Sequence, residues 1–293
     1  MSGGRTRDPT VYAGARAELG YCGEGKEADV IIQRRQPAPA ILRPVVRSFS
    51  ERIMALGSVE TRVRLPGRPD LFVEIYLGDP YRVADGAAPP ARTPSDIMVV
   101  SPHIERRVTL CLTGFVHAFH ISLQPTATHR LFGVPAPDLV DQAIEGRLLL
   151  GPGMAALRDG VLAAPDFEGR VAAAVKWFGS RLQAARPEDG VDFTARLVRR
   201  AHGRLPLAPL AARAGLGERQ WRRRFEHQTG LAPKTYSRLA RLNAAIELAR
   251  LHPGLGGSEL ALRSGYFDHS HMLRDARAIL GATPASWISG AGR

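Results

Sequence analysis

The chain has 293 residues, 44% of them hydrophobic, and a formal net charge of +12. That length suits two domains better than one, and that composition supplies apolar cores, which argues against a disordered or fibrous class. No apolar run approaches the roughly 18 residues of a membrane span, and Met1 to Arg16 lacks the apolar block of a signal peptide. A cytoplasmic protein with no membrane partner is expected.

The charge is unevenly placed. Residues 1–190 hold 23 Lys/Arg against 21 Asp/Glu, whereas residues 191–293 hold 17 against 7, all but Lys234 being arginine. A basic domain beside a near-neutral one suits a polyanion binder joined to a second function. Arginine is also the better residue for phosphate and for bidentate guanine contacts. The two cysteines, Cys22 and Cys111, form no CxxC pair and read as free thiols. No cofactor, metal set, phosphate loop, Ser-His-Asp order or paired carboxylates stand out, so no enzyme is expected.

In chain order, residues 1–33 are polar and Gly-rich and read as a loose tail. Residues 34–186 form the first domain. From Pro37 to about Gln124 the pattern is β-rich, with short runs at Val59–Leu65, Leu71–Leu77, Asp96–Ser101, Arg107–Thr113 and Phe115–Leu123, and a Pro/Ala loop at Gly86–Pro94. Its second half, from about Ala127, turns helical, as in Pro137–Ile144, Pro152–Ala163 and Phe167–Ala185. Residues 187–192 read as a charged linker. Residues 193–290 read as seven short helices, the last over 284–288.

Within that last region one layout occurs twice. Leu207, Leu210, Ala211 and Ala214 give a short helix a core face. Gly215 supplies a turn, and Trp221 and Phe225 put an apolar stripe on the next helix. Arg219, Arg222, Arg223 and Arg224 then lie largely outward. Ser258 to Gly265 is again helix then glycine, Tyr266 and Phe267 plug the turn, and Asp268 caps a helix His269–Leu280. Met272 and Ile279 face in, while His269, Ser270, Arg274 and Arg277 are outward candidates. A helix that enters a major groove needs this arrangement of apolar stripe behind and donors in front.

The residues Leu210-Ala-Ala-Arg-Ala-Gly-Leu, Arg222-Arg-Arg-Phe, Gly230-Leu-Ala-Pro-Lys-Thr-Tyr and Arg241-Leu-Asn-Ala-Ala resemble the AraC/XylS family of transcription regulators. So, more specifically, do Gly265-Tyr-Phe-Asp-His-Ser-His-Met-Leu-Arg274 and Gly281-Ala-Thr-Pro284. The resemblance covers about the last 100 residues. It implies an α+β protein whose C-terminal all-α domain has two helix-turn-helix units (207–228 and 257–280) joined by a long helix, 233–251. It places base reading on Arg219, Arg222 and Arg223 in the first unit and on His269, Ser270 and Arg274 in the second. Arg224 is assigned to phosphate or helix packing, and Arg277 completes the outward row. Three departures stand out. Gly217 replaces the usual serine cap, Trp221 a leucine, and Ala276, preceded by Asp275, the usual aromatic. The missing ring should thin the second core, and the added carboxylate should face DNA or a partner, so the second unit is expected to bind more weakly.

The N-terminal region resembles, more loosely, the β-rich, barrel-like sensor domain of one subgroup, through Leu65-Pro66, Asp70-Leu-Phe-Val-Glu74, Leu77-Gly-Asp-Pro80, Phe119-His-Ile-Ser-Leu-Gln-Pro125 and Leu131-Phe-Gly-Val-Pro135. It implies regulation or dimerisation. Double-stranded DNA is then the expected partner, with RNA polymerase, a small-molecule effector and a second copy of the chain as the others that such a regulator has. His117 and His120 tempt a zinc reading, with His103 and Glu105 nearby, but residues three apart on a strand point to opposite faces. Glu74 either lines a pocket or is the exposed side of its strand. Two other classes compete. A repair alkyltransferase fused to a DNA-binding tail needs a reactive cysteine beside a basic helix, whereas Cys22 lies in the tail and Cys111 in an apolar strand. A nonspecific architectural binder needs no paired turn geometry.

Overall fold

The computed structural model describes residues 29–85, 93–104, 108–284 and 287. Cys22, Glu105 and most of the expected tail and Pro/Ala loop lie outside them. The first half is built on two long strands, β2 (Val46–Leu65) and β6 (Val108–Leu123), paired antiparallel along their length. On β2 lies β1 (Asp29–Pro37), which occupies the end of the expected tail. On the other side of β6 lie β3 (Phe72–Tyr76) and β4 (Arg82–Asp85), followed outward from β3 by β5 (Ile97–Val100) and β7 (Ala143–Glu145). The expected separate strands before and after Thr113 are one strand that bends. Gly114 (φ +70°) sits opposite Gly57 (φ +62°) where the register shifts, and the Asp79 carboxylate accepts from the Phe115 N–H there. Such a shift turns a strand without ending it.

Both faces of this sheet are buried. One packs Phe49, Val73, Ile75, Ile97, Phe119 and Ile121 under α3 (Gly153–Ala163) and α4 (Phe167–Gln183). The other gathers Met54, Val63, Tyr76, Tyr81, Met98, Leu110, Leu112 and Val116, all from the sheet or its loops, so the sheet curls over its own side chains. The β-rich domain followed by helices that was expected is present, and its strands pair antiparallel. The hydrogen-bonded path from β1 to β7 does not close into a ring among the described residues. Between β6 and α3 lie α1 (Ala127–Phe132), a 3-10 turn at Ala136–Leu139 and α2 (Gly146–Leu150). The helix expected over Pro137–Ile144 is therefore a short turn and an edge strand. Pro137 and the extended pairing of residues 143–145 with β5 set that outcome.

The second half is all helical: α5 (Gly190–Arg200), α6 (Ala208–Arg213), α7 (Glu218–Thr229), α8 (Pro233–Leu251), α9 (Gly257–Ser264) and α10 (His269–Leu280). Residues 187–192 are not a free linker, because α5 begins inside them. Asp189 caps it, accepting from the Val191 and Asp192 N–H groups, while the Asp192 carboxylate accepts from the Asp189 N–H.

The two halves pack together. Ile104 and Val140 of the first join the core around Trp221 and Phe225 of the second. The Asn243 amide donates to the Gly67 carbonyl oxygen at 2.8 Å, and a Cβ on Gly67 would meet Ile279 at 3.1 Å. The contact is closest at Gly230, which ends α7 in the left-handed region at φ +83°. A Cβ there would lie 2.7 Å from Val140 and 2.9 Å from the Ala136 carbonyl oxygen. Gly230→Ala is thus expected to cost about 1–2 kcal/mol for the backbone alone and more for the clash. Chemical denaturation of the full chain should show a loss that Val140→Ala, in combination, restores only in part, since the backbone strain stays.

Candidate nucleic-acid interface

The first helix-turn-helix unit is held by two aromatic rings on one side of α7. Trp221 and Phe225 are one turn apart and fully buried, their centroids 5.4 Å apart, and Phe225 meets Tyr236 of α8 edge-on at 5.7 Å. The Trp221 indole N–H, which would otherwise be an unsatisfied donor in a dry core, donates to Thr194 Oγ1 on α5 at 3.0 Å. Gly215 (φ +68°) makes the turn from α6, and Gly217 caps α7 with no side-chain acceptor. With the aromatic stripe inward, helical spacing puts Arg219, Arg222 and Arg223 on the solvent side, and all three are exposed. Arg222 pairs with Glu218 at 2.5 Å one turn earlier, an exposed contact that is readily exchanged for another acceptor.

Arg224 differs from its neighbours. It is half-buried, and its guanidinium donates to the Asp189 carboxylate at 2.8 Å. Gln228, one turn on and buried, also donates to Asp189 and accepts from Arg186. Of the four arginines predicted for this helix, the structure brings three to one open face and turns the fourth back to the cap of α5.

The second unit follows the same plan with different fillers. Asp268 caps α10, accepting from the His271 N–H at 2.7 Å. Met272 is buried with Tyr266, Leu260 and Ala245. Ser270, Arg274 and Arg277 are exposed. His269 is half-buried, its ring lying against Gly257 at the start of α9, where a Cβ would approach Nε2 to 2.5 Å.

Three expectations are corrected here. Phe267 does not plug the turn: Tyr266 does, and Phe267 is 86% exposed. Asp275 faces neither DNA nor a partner, being buried and paired with Arg238 of α8 at 2.9 Å. Nor does Ala276 leave a thin core, because Trp287 packs with it, Leu242, Ile246 and Leu280. A ring from beyond α10 takes the place of the one missing inside it. The sequence signal for this was the lone tryptophan three residues after Pro284.

In the first domain, His117 and His120 point to opposite faces as their spacing predicts, each beside a different carboxylate. His117 meets Glu51 at 3.0 Å, which also binds Arg170 at 2.5 Å, and His120 meets Glu74 at 2.5 Å. Glu74 is not on an exposed side. Burial by itself pushes its pKa up, but the charge and hydrogen bond of His120, a bond from Tyr81 and the charge of Arg52 outweigh that and bring the pKa to about 2. It is a buried, satisfied carboxylate. Cys111 is buried in β6, and burial pushes its thiol above its ordinary value, which is opposite to what a nucleophile needs.

Comparison with known proteins agrees with this geometry in the second half. Residues 210–289 match the family model described as a helix-turn-helix domain, and this region is such a domain. No curated protein matches the chain. Among solved structures, the chain is similar to ToxT from Vibrio cholerae at 11% identity, over 83% of this chain and 98% of that one, with a TM-score of 0.45. It is similar to the DNA-binding domain of AdpA, described as a global transcriptional factor and solved with a target DNA, at 27% identity over 35% and 92%, with a TM-score of 0.31. It is also similar to CuxR, described as an AraC-like transcriptional activator, at 10% identity over 88% and 91%, with a TM-score of 0.28.

Two substitutions separate scaffold from surface. Trp287→Ala should destabilise the second unit by about 3 kcal/mol, the usual cost of emptying a buried aromatic site, visible as an early transition in hydrogen exchange over α8 to α10. Arg224→Ala should cost about 1 kcal/mol or less of stability and leave sequence preference unchanged, which competition between specific and scrambled duplexes would show.

Proposed function

We propose that this chain is an AraC/XylS-type transcription regulator that reads a specific DNA sequence by placing α7 and α10 in successive major grooves. The observation that carries the reading is the pairing of two helices of like design. Each is pinned by a buried apolar stripe, each bares a row of arginine or serine, and both lie in the part of the chain that holds most of the excess positive charge. In the first helix, Arg219, Arg222 and Arg223 contact base edges. In the second, Ser270 and Arg274 do so, with His269 at the rim and Arg277 on phosphate. Arg224 supports the first helix from behind. The curled N-terminal sheet and its helices sense an effector or join a second copy of the chain, and RNA polymerase is the partner on which the bound protein acts.

The structure removes both grounds for a weak second unit, since its core is filled and Asp275 is turned inward. The density of arginine still favours the first unit for affinity. Selection of duplexes from a random pool by the full chain, followed by footprinting, tests the reading. A discrete, asymmetric protected site spanning about two major-groove turns is expected. On that site Arg222→Ala should lose about 1–3 kcal/mol relative to a scrambled duplex. An equal loss on every sequence, with only a shallower salt dependence, assigns Arg222 to phosphate. Selection of no preferred sequence overturns the reading.

A further inference from the structure

A cleft of about 550 Å³ opens between α1, the C-terminal end of α4 and the connector to α5. The cleft is open to solvent on one side, with room to hold a small organic molecule against its wall. Its walls are of two kinds. Leu131, Phe132 and Leu149 are apolar, while Arg130, Arg181 and Arg186 bring three guanidinium groups. Two of those are already matched, Arg130 with Glu188 at 3.1 Å and Arg186 with Asp192 at 2.8 Å. Arg181 has no carboxylate partner among the described residues. It lies 5.3 Å over the Trp177 ring and against Gly153, where a Cβ would collide with it. A guanidinium held flat on an aromatic ring is positioned by that contact and keeps its donors for a further acceptor.

We propose that this cleft binds a small organic anion with an apolar body, its acidic group on Arg181 and its body against Leu131, Phe132 and Leu149, and that occupancy is felt at α7. The route is short. Arg186, on the cleft wall, donates to the Gln228 side-chain oxygen at 2.9 Å, and its Nε is buried with no partner. His129, on the same wall, has its ring 4.9 Å from that of His227, and its Nδ1 is likewise buried and unpartnered. Gln228 and His227 both lie in the last turn of the first DNA-facing helix. An anion added beside these groups competes with Glu188 and Asp192 for the same cations and shifts the contacts that hold that turn.

This rests on the effector-sensing part of the function proposed above, and its test needs no DNA, so the two can fail separately. The probes are 4-biphenylacetate, its uncharged primary amide and inorganic phosphate, titrated into the full chain by calorimetry. The acid should bind one to one, with the amide and phosphate at least tenfold weaker. Arg181→Gln keeps a flat group over Trp177 without the charge, and should weaken the acid at least tenfold with an unchanged melting temperature. Arg181→Ala should do the same. Hydrogen exchange over residues 226–230 should change when the acid is bound. No saturable binding of the acid at millimolar concentration, equal binding of acid and amide, equal binding of phosphate, or full affinity in Arg181→Gln each overturns the site. Binding with unchanged exchange at 226–230 overturns the coupling.

Discussion

The rest of the structure depends on one buried ion pair. Asp192 is 0% exposed, and Arg186 grips it with both terminal nitrogens, at 2.8 and 2.9 Å. A carboxylate taken out of water at this depth is tolerable only when fully partnered, and losing one partner of such a pair typically costs about 3–5 kcal/mol. Here the carboxylate belongs to α5 in the second half, while its side-chain partners come from the first half and the connector. Thr126, at the start of α1, donates to the same carboxylate at 2.5 Å, and Arg186 also reaches Gln228 of α7. Satisfying this one charge ties the end of the β-rich domain, the connector and α7 to each other.

That tie explains why the connector is ordered and why Arg224 is not like its neighbours. Asp189 caps α5, and its remaining lone pairs take Gln228 and Arg224. A helix cap alone is satisfied by backbone donors. This one also collects side chains from α7, so the cap of one helix fixes the angle of another. Gly230 at the far end of α7 closes against Ala136 and Val140, and Gly67 touches both Asn243 and Ile279. Both helix-turn-helix units are thus braced by the same N-terminal surface. That surface therefore lies in direct contact with the elements that carry the exposed arginines of α7 and α10.

The buried polar groups of the curled sheet follow a different logic. Glu74, Tyr76, Tyr81 and His120 form one satisfied cluster on the inner face, while Glu51, His117 and Arg170 form another on the helix-covered face. Each carboxylate there has a cation or hydroxyl of its own. Such clusters specify the register of β2, β3 and β6, because sliding a strand by one residue would move each carboxylate to the wrong face. Arg181 stands apart from this pattern, as a guanidinium with an aromatic platform and no carboxylate partner among the described residues.

By itself the sequence determined what repeats locally: the two helix-turn-helix units, the glycines and Asp268 at their turns, the apolar stripes of α7 and α10, and the open row Arg219, Arg222 and Arg223. These follow from helical periodicity and from charge, which a few neighbouring residues decide. Alternation likewise placed His117 and His120 on opposite faces. The tertiary structure alone decided whatever depends on partners distant in the chain. It merged five expected short strands into a sheet led by two long ones, because pairing partners rather than local composition carry a strand past Gly114. It turned Asp275 inward onto Arg238, and it chose Asp189 as the partner of the half-buried Arg224. It filled the space beside Ala276 with Trp287. It made a capped, buried helix start of the charged stretch 187–192, since the burial of Asp192 is set by Thr126 and Arg186 from elements that no local pattern brings together.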